Sequence, residues 1–170
     1  MFADSIPEVI IDGHHLTLEQ VVAVARCGAR VSLSGEALPA MRRSREIVEG
    51  ILREGRAVYG INTGFGALSS VRISAEQVSL LQHNMIVSHA VGCGRPLPAE
   101  AVRAMLLLRA NALCQGSSGV RPELVETLVS MLNAGVHPVI PEKGSLGASG
   151  DLAPLSHMAL VLLGLGEAEV

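Results

Sequence analysis

Between Pro98 and Gln115 the chain carries Val102, Met105, Leu106, Leu107, Leu108 and Leu113, interrupted by Arg109 and Asn111. The spacing predicts a strongly apolar helix, too long for a strand. The two polar residues are expected to pair between packed helices. The apolar mass elsewhere is Ala, Leu and Val, and the only aromatic residues are Phe2, Tyr59 and Phe65. That mixture suits helices packed on helices. From Gly35 to Arg53, Leu38, Met41, Ile47, Val48, Ile51 and Leu52 recur near helical spacing, with a solvated charged face between them. Pro122 in a first turn opens a helix to about Asn133, and a last helix runs from about Asp151 to Leu163. Thr17-x-x-Gln20 and Ser74-x-x-Gln77 read as capping signals for helices reaching about Arg26 and Ala90. Val9–Ile11 and Val31–Leu33 read as short strands, and His137 to Pro141 as extended. The fold expected is mainly α, with a few short strands near the N-terminus. No repeat or linker divides residues 1–170, which read as a single region.

Charged residues make up 17 % of the chain, below the usual ~25 %. Much of the surface is therefore expected to be covered, by more chain or by other subunits. A net charge of −3 gives no basic face for nucleic acid. Cys27, Cys93 and Cys114 are odd in number and far apart, so neither a disulfide framework nor a metal site is expected. Reduced cysteines point to the cytoplasm. Asp4 and Glu8 near the start argue against a secretory signal. The longest apolar stretch, Met158 to Leu165, falls short of the ~20 residues that span a bilayer, so no membrane partner is expected.

The stretch from Gly144 to Pro154 places three glycines within seven residues around Ala148-Ser149-Gly150. Two readings stand. In one it is a glycine-rich turn before a helix, with Asp151 as cap and Pro154 in the first turn. In the other, a sharp bend brings the Gly150 nitrogen to the carbonyl carbon of Ala148 and closes a five-membered ring. Loss of water from that ring, and of a second from the Ser149 side chain, leaves a conjugated electrophile without an external cofactor. A serine hydrolase reading fails, because Gly147-Ala148-Ser149-Gly150-Asp151 is not Gly-x-Ser-x-Gly.

The run Gly-Ser-Leu-Gly-Ala-Ser-Gly-Asp-Leu-Ala-Pro-Leu-Ser-His, residues 144–157, resembles the signature of the aromatic amino acid ammonia-lyases and related 2,3-aminomutases. The resemblance extends from about residue 8 to the end. It implies the helical-bundle fold of that family, and conversion of Ala148-Ser149-Gly150 into the prosthetic group 4-methylidene-imidazol-5-one, MIO. It also implies a homotetramer whose active sites are each built from several subunits. The family's enzymes are much longer than 170 residues, so this chain is expected to be an N-terminal portion, inactive by itself and completed by the remainder of the enzyme.

Val58-Tyr59-Gly60-Ile61-Asn62-Thr63-Gly64-Phe65-Gly66 is a glycine-rich loop without the lysine of a phosphate cradle or the third glycine of a dinucleotide fingerprint. Read without the resemblance, Tyr59 is a half-buried residue at a strand end. The loop resembles the family's Tyr-Gly-x-Asn-Thr-Gly-Phe-Gly, which implies that Tyr59 is the catalytic base and Gly66 a backbone contact to substrate in a mobile lid. Leu81 to Gly94 is similar to the family's selectivity region, where Ser88-His89 matches the histidine ammonia-lyases and some tyrosine aminomutases. His89 is thereby assigned to the substrate side chain. His157 is given packing and no chemistry. The implied reaction is loss of ammonia from an aromatic L-amino acid, histidine to urocanate first. Tyrosine or phenylalanine ammonia-lyase and 2,3-aminomutase are the alternatives within the class, and an inactive helical assembly fragment is the alternative outside it.

Overall fold

The structure is a computed structural model that describes residues 8–170. Phe2 and Asp4, used above, lie outside the described residues. Strand β1 (Val9–Ile11) pairs in parallel with β2 (Val31–Leu33), Val9 opposite Val31 and Ile11 opposite Leu33. Parallel strands need a crossover between them, and helix α1 (Leu18–Cys27) supplies it. Thr17 and Gln20 close the expected capping box at its start. Helix α2 (Ala37–Glu54) follows, with Met41 and Ile51 buried and Ile47 turned to solvent. Next come α3 (Ala75–His89), β3 (Cys93–Pro96), α4 (Ala99–Cys114) and α5 (Pro122–Ala134). The chain ends with β4 (His137–Pro138), β5 (Pro141–Lys143), α6 (Leu152–Leu162) and β6 (Ala168–Glu169).

The mainly α expectation holds, with strand pairs beyond those read from the sequence. β3 pairs antiparallel with β5, and β4 with β6. Residues 93–96 are Cys-Gly-Arg-Pro and residues 168–169 Ala-Glu, too short and too polar for a period-two pattern to mark them. Ser74 stands at the N-cap of α3 but makes no side-chain cap bond. Asp151 likewise gives α6 no side-chain cap, its carboxylate being engaged elsewhere.

Helix α4 is the centre of the core and packs against α1, α2 and α5. Leu106 and Leu107 are wholly buried among Val24, Met41, Val125 and Leu132. Leu106→Ala is expected to lower the unfolding free energy by about 2–5 kcal/mol. A urea midpoint that falls at unchanged slope is the measurement.

The polar interruptions of α4 do not pair helix to helix as expected. Asn111 Oδ1 accepts the Gly13 N–H at 2.9 Å, a loop contact. Arg109 is exposed at the mouth of a cavity between α3, α4, α5 and α6. Helices are tied instead by Arg103, half-buried on α4. Its Nε and Nη2 donate to the Val24 carbonyl at 3.0 and 2.8 Å, and its Nη1 to the Leu132 carbonyl at 3.1 Å. Both carbonyls lie in last helical turns, where intrahelical partners run out. Asn133 meets β2 in a related way: its Oδ1 accepts the Val31 N–H and its Nδ2 donates to the Val31 carbonyl.

Candidate active site

The Tyr59 loop is organised by a residue that sequence reasoning passed over. Asn62 is 3 % exposed. Its Oδ1 accepts the Val58 N–H at 2.8 Å, and its Nδ2 donates to the Arg56 carbonyl at 2.9 Å. Its backbone carbonyl accepts the Ile73 N–H, and the Gly64 N–H donates to the Val71 carbonyl. A buried asparagine in a glycine-rich loop is a turn-former whose side chain stands in for backbone; that was the available signal. The bonds present Tyr59 at a tip, where it is 62 % exposed and belongs to a turn rather than a strand end. Its ring meets Phe65 edge-on, with centroids 5.7 Å apart. Gly66 opens a short 3-10 turn, Gly66–Leu68, with φ +56°.

His89 closes α3. The Met85 carbonyl lies 2.7 Å from its Nδ1. A carbonyl can only accept, so Nδ1 carries the proton and Nε2 of the neutral ring is left as an acceptor. Ser88 Oγ donates to the same carbonyl at 3.1 Å. These bonds set the ring's tautomer before any ligand arrives.

At Ala148-Ser149-Gly150 the chain turns over residues 147–149. Gly147 and Gly150, on either side of the Ala-Ser pair, have φ +74° and +73°. A Cβ at Gly147 would meet nothing within 4 Å, and one at Gly150 only Ser145 Oγ at 3.4 Å. Glycine is therefore required there for its backbone angle, not for space, because other residues reach that region only at a cost of about 1–2 kcal/mol. The result is a sharply turned peptide at the triplet. Ser149 Oγ donates to Asp151 Oδ1 at 2.7 Å, which leaves the carboxylate beside the hydroxyl that dehydration would remove. The residues present fit the MIO group. Ala148 and Ser149 are exposed, at the N-terminal, positive end of α6. Pro154 has no N–H, so Leu152 and Ala153 carry the amides of that first turn.

The structure joins the His89 segment to the triplet's loop. The β3–β5 pair sets Cys93 opposite Lys143, and α3 packs on α6. A Cβ on Gly144 would lie 3.3 Å from Gly92 Cα and 3.1 Å from the Ala153 Cβ. Among the described residues, no hydrogen bond or ring contact joins Tyr59 or Gly66 to the triplet. The cavity of about 400 Å³ between α3, α4, α5 and α6 is lined mostly by apolar side chains such as Ile86, Leu124 and Leu155, with Arg109, Arg121 and Ser156, and by none of Tyr59, His89 or the triplet. It is an interhelical groove apart from those residues. No helix among the described residues is long and apolar enough to cross a membrane.

The family model for aromatic amino acid lyases matches residues 16–170. Histidine ammonia-lyase of Symbiobacterium thermophilum is 61 % identical over 163 residues, which are 96 % of this chain and 32 % of that protein. That of Alkaliphilus metalliredigens is 56 % identical over 161 residues, 95 % of this chain and 32 % of its own length. The chain thus spans about a third of the curated relatives it matches. Among solved structures, tyrosine aminomutase from Streptomyces globisporus superposes with a TM-score of 0.89 at 38 % identity, covering 96 % of this chain and 30 % of that one. Histidine ammonia-lyase from Trypanosoma cruzi gives 0.87 at 42 % identity, covering 96 % and 31 %. With a match over nearly all its length, residues 148–150 included, the chain belongs to the aromatic amino acid lyase family.

Proposed function

We propose that this chain forms the electrophile-bearing part of a lyase that removes ammonia from an aromatic L-amino acid, with histidine as substrate and urocanate as product. The observation that carries the reading is the sharply turned triplet, left-handed glycines at 147 and 150 with the Ser149 hydroxyl held by Asp151. Identity of 61 % to a histidine ammonia-lyase supports the substrate. The MIO group, once formed from Ala148, Ser149 and Gly150, supplies an electron sink that activates the substrate for loss of its amino group. Tyr59 Oη removes the β-proton, and its exposed tip lets the phenol reach a substrate held by other segments. His89 Nε2 accepts a hydrogen bond from the substrate side chain. Only a side chain with a polar hydrogen, an imidazole N–H or a phenol O–H, can donate to it, which places phenylalanine last. Gly66 contacts the substrate backbone from the Tyr59 loop, which serves as a lid. The amides of Leu152 and Ala153 favour negative charge beside the triplet.

The remaining contacts come from the rest of a longer enzyme, of which these residues form the N-terminal part, assembled as a homotetramer. Exposed Leu80, Val87 and Leu152 on α3 and α6 supply apolar surface for that covering. Free Cys27, Cys93 and Cys114 suit the cytoplasm. A 2,3-aminomutase is the second reading, favoured by the likeness to tyrosine aminomutase. The test is product analysis after incubating the assembled enzyme with histidine, tyrosine and phenylalanine in turn. Urocanate from histidine is expected; a β-amino acid product supports the aminomutase, and no product from any of the three rejects both.

A further inference from the structure

His157 stands on α6, two helical turns past the triplet, and the reaction above gives it no task. Its Nε2 lies 3.0 Å from the Gly92 nitrogen. The Gly92 N–H can only donate, so Nε2 accepts and Nδ1 holds the proton of a neutral ring. Gly92 comes three residues after His89. Space at that position is closed on two sides, since a Cβ there would fall 3.0 Å from His157 Nε2 and 3.2 Å from Pro141 Cβ. Gly92 also abuts Gly144, at the start of the triplet's loop. One imidazole therefore clamps the chain leaving His89 onto the helix that the triplet opens. Burial pushes the His157 pKa down, which keeps the ring neutral and able to accept.

We propose that His157 is a positioning residue: through Gly92 it fixes where His89 stands relative to Ala148-Ser149-Gly150, and so sets how well the substrate side chain is held. The inference rests on the reading of His89 as the side-chain contact. The hydrogen bond belongs to α6 and the β3 approach, not to the reacting atoms, so its loss acts on substrate fit before chemistry.

The test compares His157→Leu with His157→Gln in the assembled enzyme. A glutamine amide oxygen reaches about as far as Nε2 and accepts the same N–H; leucine fills the space and accepts nothing. KM for histidine is expected to rise about tenfold in His157→Leu, the size of one lost part-buried hydrogen bond. The change in kcat is expected to stay under about threefold, and His157→Gln to remain within about twofold of wild type in both. Equal losses in the two variants, or an unchanged KM in His157→Leu, would overturn the proposal. A second readout needs no turnover. Amide exchange in peptides covering residues 86–93 should quicken in His157→Leu and not in His157→Gln, while α4 and α5 stay protected. Uniform quickening, or none, overturns the proposal. A wild-type enzyme without product would end the functional reading alone, and exchange would still decide the clamp.

Discussion

Tyr59→Phe in the assembled enzyme should leave the dehydrated triplet intact and reduce turnover on the order of 10³-fold, within the ~10²–10⁴ range of a single proton-transfer group. The substitution removes one oxygen from a ring that is already 62 % exposed and meets Phe65 edge-on. The loop does not depend on that oxygen, because its fold is held by Asn62 and the backbone bonds around it. Loss of activity would therefore report chemistry rather than folding. Intact mass checks the triplet and steady-state rates check turnover; rates within about threefold of wild type would remove Tyr59 from the mechanism.

A larger effect is expected from Ser149→Ala. Closure of the ring releases one water from the Ala148 carbonyl oxygen, and the Ser149 side chain releases the second. In wild type the mass should fall short of the sequence by two waters, localised to residues 148–150. Alanine has no hydroxyl to lose, so the variant can release at most the one water of ring closure and forms no alkene. Turnover should fall beyond the ~10⁴-fold ceiling of one acid–base group, because the electrophile itself is missing. The fold should tolerate the change. Ser149 is exposed, and its hydroxyl donates to Asp151, also exposed. An unmodified triplet in active wild-type enzyme would reject the self-made electrophile outright.

Helices were legible because their signals are local. The Thr17 box and Pro122 at a first turn each mark a boundary by backbone chemistry that needs no partner. The apolar spacing of α4 announced the buried Leu106 and Leu107 in the same way. What escaped were ties between distant segments. Arg103 caps helices that begin far from it in sequence, and nothing near residue 103 distinguishes it from a solvated arginine. β3 and β5 hold each other through the loops they bring together, not through a pattern of their own. Asp151 looked like a cap because Asp often is one; the neighbouring Ser149 hydroxyl competes for the same oxygen. In the candidate site, motif resemblance named Tyr59, His89 and the triplet. The tautomer of His89, set by the Met85 carbonyl one turn earlier, needed the structure.

The amide of Asn133 has a consequence for solubility. A two-stranded ladder leaves an outer row of N–H and C=O groups that can recruit a strand from another molecule. On β2 the N–H and C=O of Val31, its first residue, are both taken by one side chain from α5. The asparagine acts as a molecular stopper at the start of β2: it mimics the next strand for one residue.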